Sequence, residues 1–196
     1  MIETTEPVLW FVARASGLTS LVFPTLSVAL GNAAGARRPS LPRFVTQGAH
    51  RTCALTGLLL LVVHVAAVVA DPYVPLEWTD VFWPFAAGYE PLWTGLGTVA
   101  LDLMLLIIAT SVVRHRIGLR IWRGVHLTAY AAFALSIGHG LGAGTDAQEP
   151  TVAALTGTSV GVVVAALALR LWRDHDRSDR RYRAGHLDGA GSEVRT

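Results

Sequence analysis

Residues 50–64 read HRTCALTGLLLLVVH: an almost wholly apolar run with a histidine at each end. The apolar residues continue on both sides, over about 45–70, which is longer than the roughly 20 residues a helix needs to cross a bilayer. An imidazole inside such a run is costly unless it has a partner or a task. Residues 125–140, VHLTAYAAFALSIGHG, repeat the arrangement with His126 and His139. These two stretches determine both the fold class and the candidate chemistry.

The whole chain agrees with a membrane reading. Of its 196 residues, 52% are hydrophobic and only 15% charged, against about 25% charged in a soluble domain. Its mean hydropathy is +0.46. The one cysteine, Cys53, excludes a disulfide framework or a cysteine metal site within one chain. The acidic start, MIETTEP, lacks the basic region of a secretory leader, so no cleavage is expected. Nothing in the charge pattern points to a nucleic-acid partner.

Five spans are expected, at about 8–30, 45–70, 92–113, 119–142 and 151–172, giving an all-α polytopic helix bundle. Arginine is confined to one set of connections: Arg37, Arg38 and Arg43, then Arg114, Arg116, Arg120 and Arg123, then the tail from Arg170 to Arg183. The opposite set is acidic, with Glu3 and Glu6, then Asp71, Glu77, Asp80 and Glu90, then Asp146 and Glu149. The positive-inside rule therefore predicts an outside N-terminus and a cytoplasmic C-terminus in a multi-pass plasma-membrane protein. Residues 1–172 would form the membrane domain, and 173–196 a polar, partly disordered cytoplasmic tail. Segment 71–93, rich in Trp, Phe and Tyr, reads as an interfacial belt at the outer surface, with a lid or docking face as the functional alternative.

Thirteen residues separate His50 from His64, and twelve separate His126 from His139. At 1.5 Å per residue the pairs lie about 21 Å and about 19.5 Å apart along their helices, so one member of each pair falls in each leaflet. Spans two and four run in the same direction. His50 would then meet His126 near the cytoplasmic side, and His64 would meet His139 near the outer side. Two imidazoles facing each other across a bundle can ligate a haem iron from both faces. Fourteen steps of about 100° return His64 to within about 40° of the azimuth of His50, whereas thirteen steps leave His139 about 140° from His126. Either span four is distorted, with Gly138 and Gly140 beside His139 as the expected place, or the outer haem sits at a different azimuth.

The paired spacing, together with the His50-Arg51 dipeptide and ARASG at 13–17, resembles the ferric reductase-like transmembrane domain. That group includes ferric reductases, NADPH oxidases and the membrane subunit of the bacterial methionine sulfoxide reductase system. The resemblance covers about residues 8–172. It implies two b-type haems held by His50 with His126 and by His64 with His139. The larger members carry six spans and a cytoplasmic flavin and nicotinamide domain. Here five spans are read and no such domain, so electrons are expected from a separate protein, a membrane quinol or a bound flavin.

Arginine matches the carboxylates of a haem propionate with a two-point fork. Arg14 is expected to serve the outer haem, and Arg51 or Arg123 the inner one; Arg51 and Arg123 also fit simple snorkelling to the interface. Asp102, midway along span three, is expected to pair with an arginine or a hydroxyl, with proton relay as the functional alternative. Phe133 reads as a ring between the haems or as plain packing. GLGTVA at 95–100 fits a dinucleotide fingerprint on paper, but it sits inside a span with no preceding strand and is rejected. GTSVG at 157–161 suits close helix packing within the chain or in a homodimer. His115, His175 and His186 are not assigned to haem.

The expected function is electron transfer through the membrane, from a cytoplasmic or membrane donor to an extracytoplasmic acceptor. Two other readings remain: a cytochrome b subunit whose function a quinol-linked or soluble oxidoreductase partner sets, and a non-redox transporter whose histidines bind metal ions or protons.

Overall fold

The computed structural model describes the backbone of residues 6–35 and 42–193 and the side chains of 8–35 and 42–176. Glu3, Arg37 and Arg38, on which part of the expected orientation rests, lie outside the described residues, as do the side chains of Glu6 and of the tail beyond 176. Seven helices follow in order: α1 Glu6–Ala34, α2 Arg43–Ala70, α3 Pro91–Val112, α4 Arg114–Ile117, α5 Leu119–Leu127, α6 Ala129–Ala143 and α7 Pro150–Glu193. No strand occurs among the described residues.

Four helices are long and apolar enough to cross a membrane: Val8–Ala34, Arg43–Ala70, Pro91–Val112 and Pro150–Asp176. The span expected at 119–142 is two helices, α5 and α6, meeting at Thr128. The cause is local. Thr128 turns tightly, its N–H donating to Val125 O at 3.0 Å and its hydroxyl to the same carbonyl at 2.7 Å. The expected distortion is thus real but misplaced, since α6 runs unbroken through Gly138 and Gly140. A tight turn of this kind advances about 120° per residue rather than 100°, which carries His139 toward the His126 face. The backbone of α7 runs helical to Glu193, through most of the segment expected as a polar, partly disordered tail.

The packing is that of a protein built for lipid. Large apolar side chains face outward, among them Leu59, Val164 and Leu171, while small ones such as Ala13, Ala67, Ala100 and Ala132 are buried. A lipid environment removes the penalty on the first group and leaves close packing of small residues to hold the helices together. α1 packs along α2, α3 along α6, and α7 against α1. Hardly any close backbone contact joins the α1–α2 pair to the α3–α6 pair. Between the two pairs lies a cavity of about 1880 Å³.

Gly57 shows how tightly one pair is fitted. A Cβ there would come within 3.0 Å of Pro24 Cδ and 3.2 Å of Phe23 Cβ on α1. Gly57→Leu is expected to force α1 off α2 and cost about 1–3 kcal/mol, read as a lower unfolding midpoint in detergent.

Candidate functional site

The histidines line the cavity between the two helix pairs. His50 on α2 faces His126 on α5, ring centroids 5.9 Å apart and planes at 64°. His64 on α2 faces His139 on α6, 6.2 Å apart and at 78°. These are the partners expected from chain direction and depth.

The ring nitrogens are sorted by their hydrogen bonds. Nδ1 of His64 donates to Ala13 O at 2.7 Å, and Nδ1 of His139 donates to Trp93 O at 3.0 Å. Nδ1 of His50 lies 2.8 Å from Ser27 O and 2.9 Å from Ser27 Oγ. A carbonyl oxygen accepts only, so in these three rings Nδ1 carries the proton and Nε2 keeps a free lone pair, the state a metal ligand requires. His126 differs: its Nδ1 is buried with no hydrogen-bond partner, and its ring stacks on Trp122 at 5.0 Å and 25°.

Three glycines make room for the rings. A Cβ at Gly17 would stand 2.9 Å from His64 Nδ1, one at Gly31 3.3 Å from His50 Nδ1, and one at Gly97 2.8 Å from His139 Nδ1. Sequence reasoning missed these glycines, although a signal was present. Gly17 and Gly31 have the same fourteen-residue step as His50 and His64, on the neighbouring antiparallel helix.

Arg14 lines the cavity at its His64–His139 end and is engaged there. It is ion-paired with Asp146, hydrogen-bonds Thr145 Oγ1 at 3.0 Å, and lies over the Trp10 ring at 4.1 Å. This arginine therefore ties α1 to the α6–α7 connection, a contact not foreseen from sequence. Arg14→Gln is expected to lower stability by about 1 kcal/mol through the loss of a partly buried pair and a ring contact, measured by thermal unfolding in detergent. Arg51 and Arg123 are exposed at the opposite end, where they line the cavity together with Arg114, Arg170 and Arg173. Arg173 donates to Asn32 O at 3.1 Å, and Asn32 donates to Tyr130 Oη at 3.0 Å, crossing from α1 to α6.

Asp102 is exposed on the outward side of α3, beside Leu105 and Leu106. Among the described residues it has no hydrogen bond or ion pair, so the expected pairing with an arginine or hydroxyl is not formed. Phe133 is buried and lines the cavity. In segment 71–91, Phe85 packs onto the face of α3 at Gly95, while Tyr73, Trp78, Phe82 and Trp83 stay exposed.

No group of three or more His, Cys, Asp or Glu gathers into a metal cluster among the described residues. The histidines come instead as two opposed pairs.

Comparison with known families matches residues 16–137 to the profile described as ferric reductase like transmembrane component. The match takes in His50, His64 and His126 and ends two residues before His139. No curated protein and no solved structure matches the chain.

Proposed function

The chain belongs to the ferric reductase like transmembrane family, and on that footing we propose that it carries electrons through the membrane by way of two b-type haems, from a cytoplasmic or membrane donor to an acceptor outside. The observation that carries this reading is the pair of facing imidazoles repeated at two levels of one cavity, with centroids 5.9 and 6.2 Å apart. A metal–imidazole bond of about 2 Å on each side of a single iron sets two opposed ring centres about 6 Å apart. The cavity of about 1880 Å³ exceeds the roughly 300–1,000 Å³ of an ordinary small-ligand pocket, in keeping with more than one large planar group.

When bound, a b-type haem supplies a reversible one-electron iron couple. The chain's own residues do the rest. His50 and His126 would hold the inner group, and His64 and His139 the outer one. The carbonyls of Ser27, Ala13 and Trp93 fix the tautomer of three of these rings, so that Nε2 faces the cavity as a ligand. Arg14 at one end and Arg51 or Arg123 at the other would meet propionate carboxylates. Lipid-facing apolar residues on the outside of both helix pairs keep water from the path.

In this reading α5 and α6 together form the fourth of five crossings, the N-terminus lies outside and the C-terminus in the cytoplasm, and the membrane is the plasma membrane. Electrons would enter at the His50–His126 end from a separate protein, a membrane quinol or a bound flavin, and the arginines there would face acidic groups of the donor.

The test is transfer across a sealed bilayer. Haem-loaded protein in liposomes, with ferricyanide trapped inside and a membrane-impermeant reductant outside, should reduce the trapped oxidant, and a His64→Ala protein should not. Liposomes in which the loaded protein leaves the ferricyanide oxidised would contradict the proposal.

A further inference from the structure

Three of the four imidazoles share one anchor. Each Nδ1 meets a carbonyl of the neighbouring helix, and four residues after that carbonyl stands a glycine. The sets are Ala13 O and Gly17 for His64, Ser27 O and Gly31 for His50, and Trp93 O and Gly97 for His139. The missing Cβ lets the imidazole lie against the helix backbone, within reach of the carbonyl one turn back.

His126 breaks the pattern, and α3 contains the reason. Fourteen residues after Trp93 and Gly97 come Ile107 and Ser111, the same step that separates Gly17 from Gly31. The fourth anchor position thus holds a serine. Its Oγ donates to Ile107 O at 2.6 Å and accepts Trp122 Nε1–H at 3.2 Å. Trp122 in turn stacks on His126, whose buried Nδ1 has no hydrogen-bond partner.

We propose that Ser111 and Trp122 are positioning residues that make the His50–His126 site electronically unlike the His64–His139 site. Ser111, with a longer bond from Thr110 at 3.1 Å, occupies the carbonyl that would anchor the fourth imidazole, and Trp122 holds that ring by stacking instead. An imidazole whose Nδ1 proton is shared with a carbonyl is a stronger donor and favours oxidised iron. His126 lacks that sharing, so the group held by His50 and His126 is the more easily reduced of the two. The inference rests on the haem reading above and adds an asymmetry to it.

The experiment is a spectroscopic redox titration of the full-length, haem-loaded protein, with His50→Ala used to identify the wave that belongs to the inner site. The wild type should show two waves, the inner one at the higher potential. Ser111→Gly recreates the anchor of the other three sites and should shift the inner wave downward while leaving the outer wave in place. Ser111→Ala removes the shorter of the two hydroxyl bonds to Ile107 O, leaving Thr110 at 3.1 Å, and keeps the Cβ, so it should shift the same wave less; it also serves as the readout if the glycine variant does not fold. Trp122→Ala should lower inner haem occupancy, and Trp122→Phe, which keeps a stacking ring, should restore it. A protein with two bound haems whose inner wave lies at or below the outer one, or does not move downward in the Ser111 variants, overturns this inference and leaves the haem reading standing. A wild-type protein that binds no haem overturns both.

Discussion

Replacing His64 with alanine will halve the haem content, from two groups per chain to about one. The reasoning begins with geometry. His64 and His139 face each other at 6.2 Å with no third His, Cys, Asp or Glu gathered beside them among the described residues, so no spare ligand stands ready to take the place of either. A haem with one axial imidazole is held by half its protein bonds. The His50–His126 pair lies at the other level of the cavity and is untouched by the change. The remaining haem should keep its low-spin spectrum, and the His139→Ala protein should lose the same component. Haem-to-protein ratio together with the low-temperature α band checks this. If the His64 and His139 variants lose different components, the pairing is wrong.

Gly97→Val should have nearly the same effect without touching a ligand. A Cβ at this position would stand 2.8 Å from His139 Nδ1 and 3.0 Å from Cε1, closer than real Cβ contacts allow. The obstacle is the ring itself, which is held to Trp93 O at 3.0 Å, so the ring must leave its carbonyl to make room. Valine adds two methyl groups to the conflict. Overpacking of this kind costs about 1–3 kcal/mol in a packed interior, and loss of an outer-shell partner typically weakens metal binding about 10–100-fold. The expected outcome is a folded, helical protein with one haem, read by circular dichroism and haem quantification on the same sample. Gly124→Ala is the matched control, because a Cβ there meets nothing within 4 Å.

Much of this architecture could be read from composition and counting. The apolar runs at about 8–30, 45–70 and 92–113 correspond to α1, α2 and α3, and the run beginning at 151 lies at the start of α7. The pairing of His50 with His126 and of His64 with His139 followed from residue counts and chain direction alone, because depth in a helix is linear in residue number. Azimuth is less forgiving. A straight helix could not present His126 and His139 to one cavity, and the tight turn that relieves this lies at Thr128, a residue whose hydroxyl bonds back to its own chain. Gly138 and Gly140 drew attention because glycine weakens helices, yet the helix holds through both.

What stayed hidden depends on which neighbour each residue meets. Arg14 reads from sequence as the arginine of an outer haem propionate, and its ion pair with Asp146, more than 130 residues away, leaves no sign in the local sequence. Asp102 looked as if it needed a partner, and it faces outward instead. The carbonyl anchors of the histidines are backbone atoms, which leave no mark in sequence beyond the glycines that admit the rings.

The most direct test of the account is the haem content of the purified wild-type chain. Protein expressed with haem available, taken up in detergent and assayed by pyridine hemochrome with oxidised and dithionite-reduced spectra, should hold two low-spin b-type haems per chain. A colourless protein, or one whose bound iron is not low-spin haem, would contradict the claim that the four facing histidines are axial ligands.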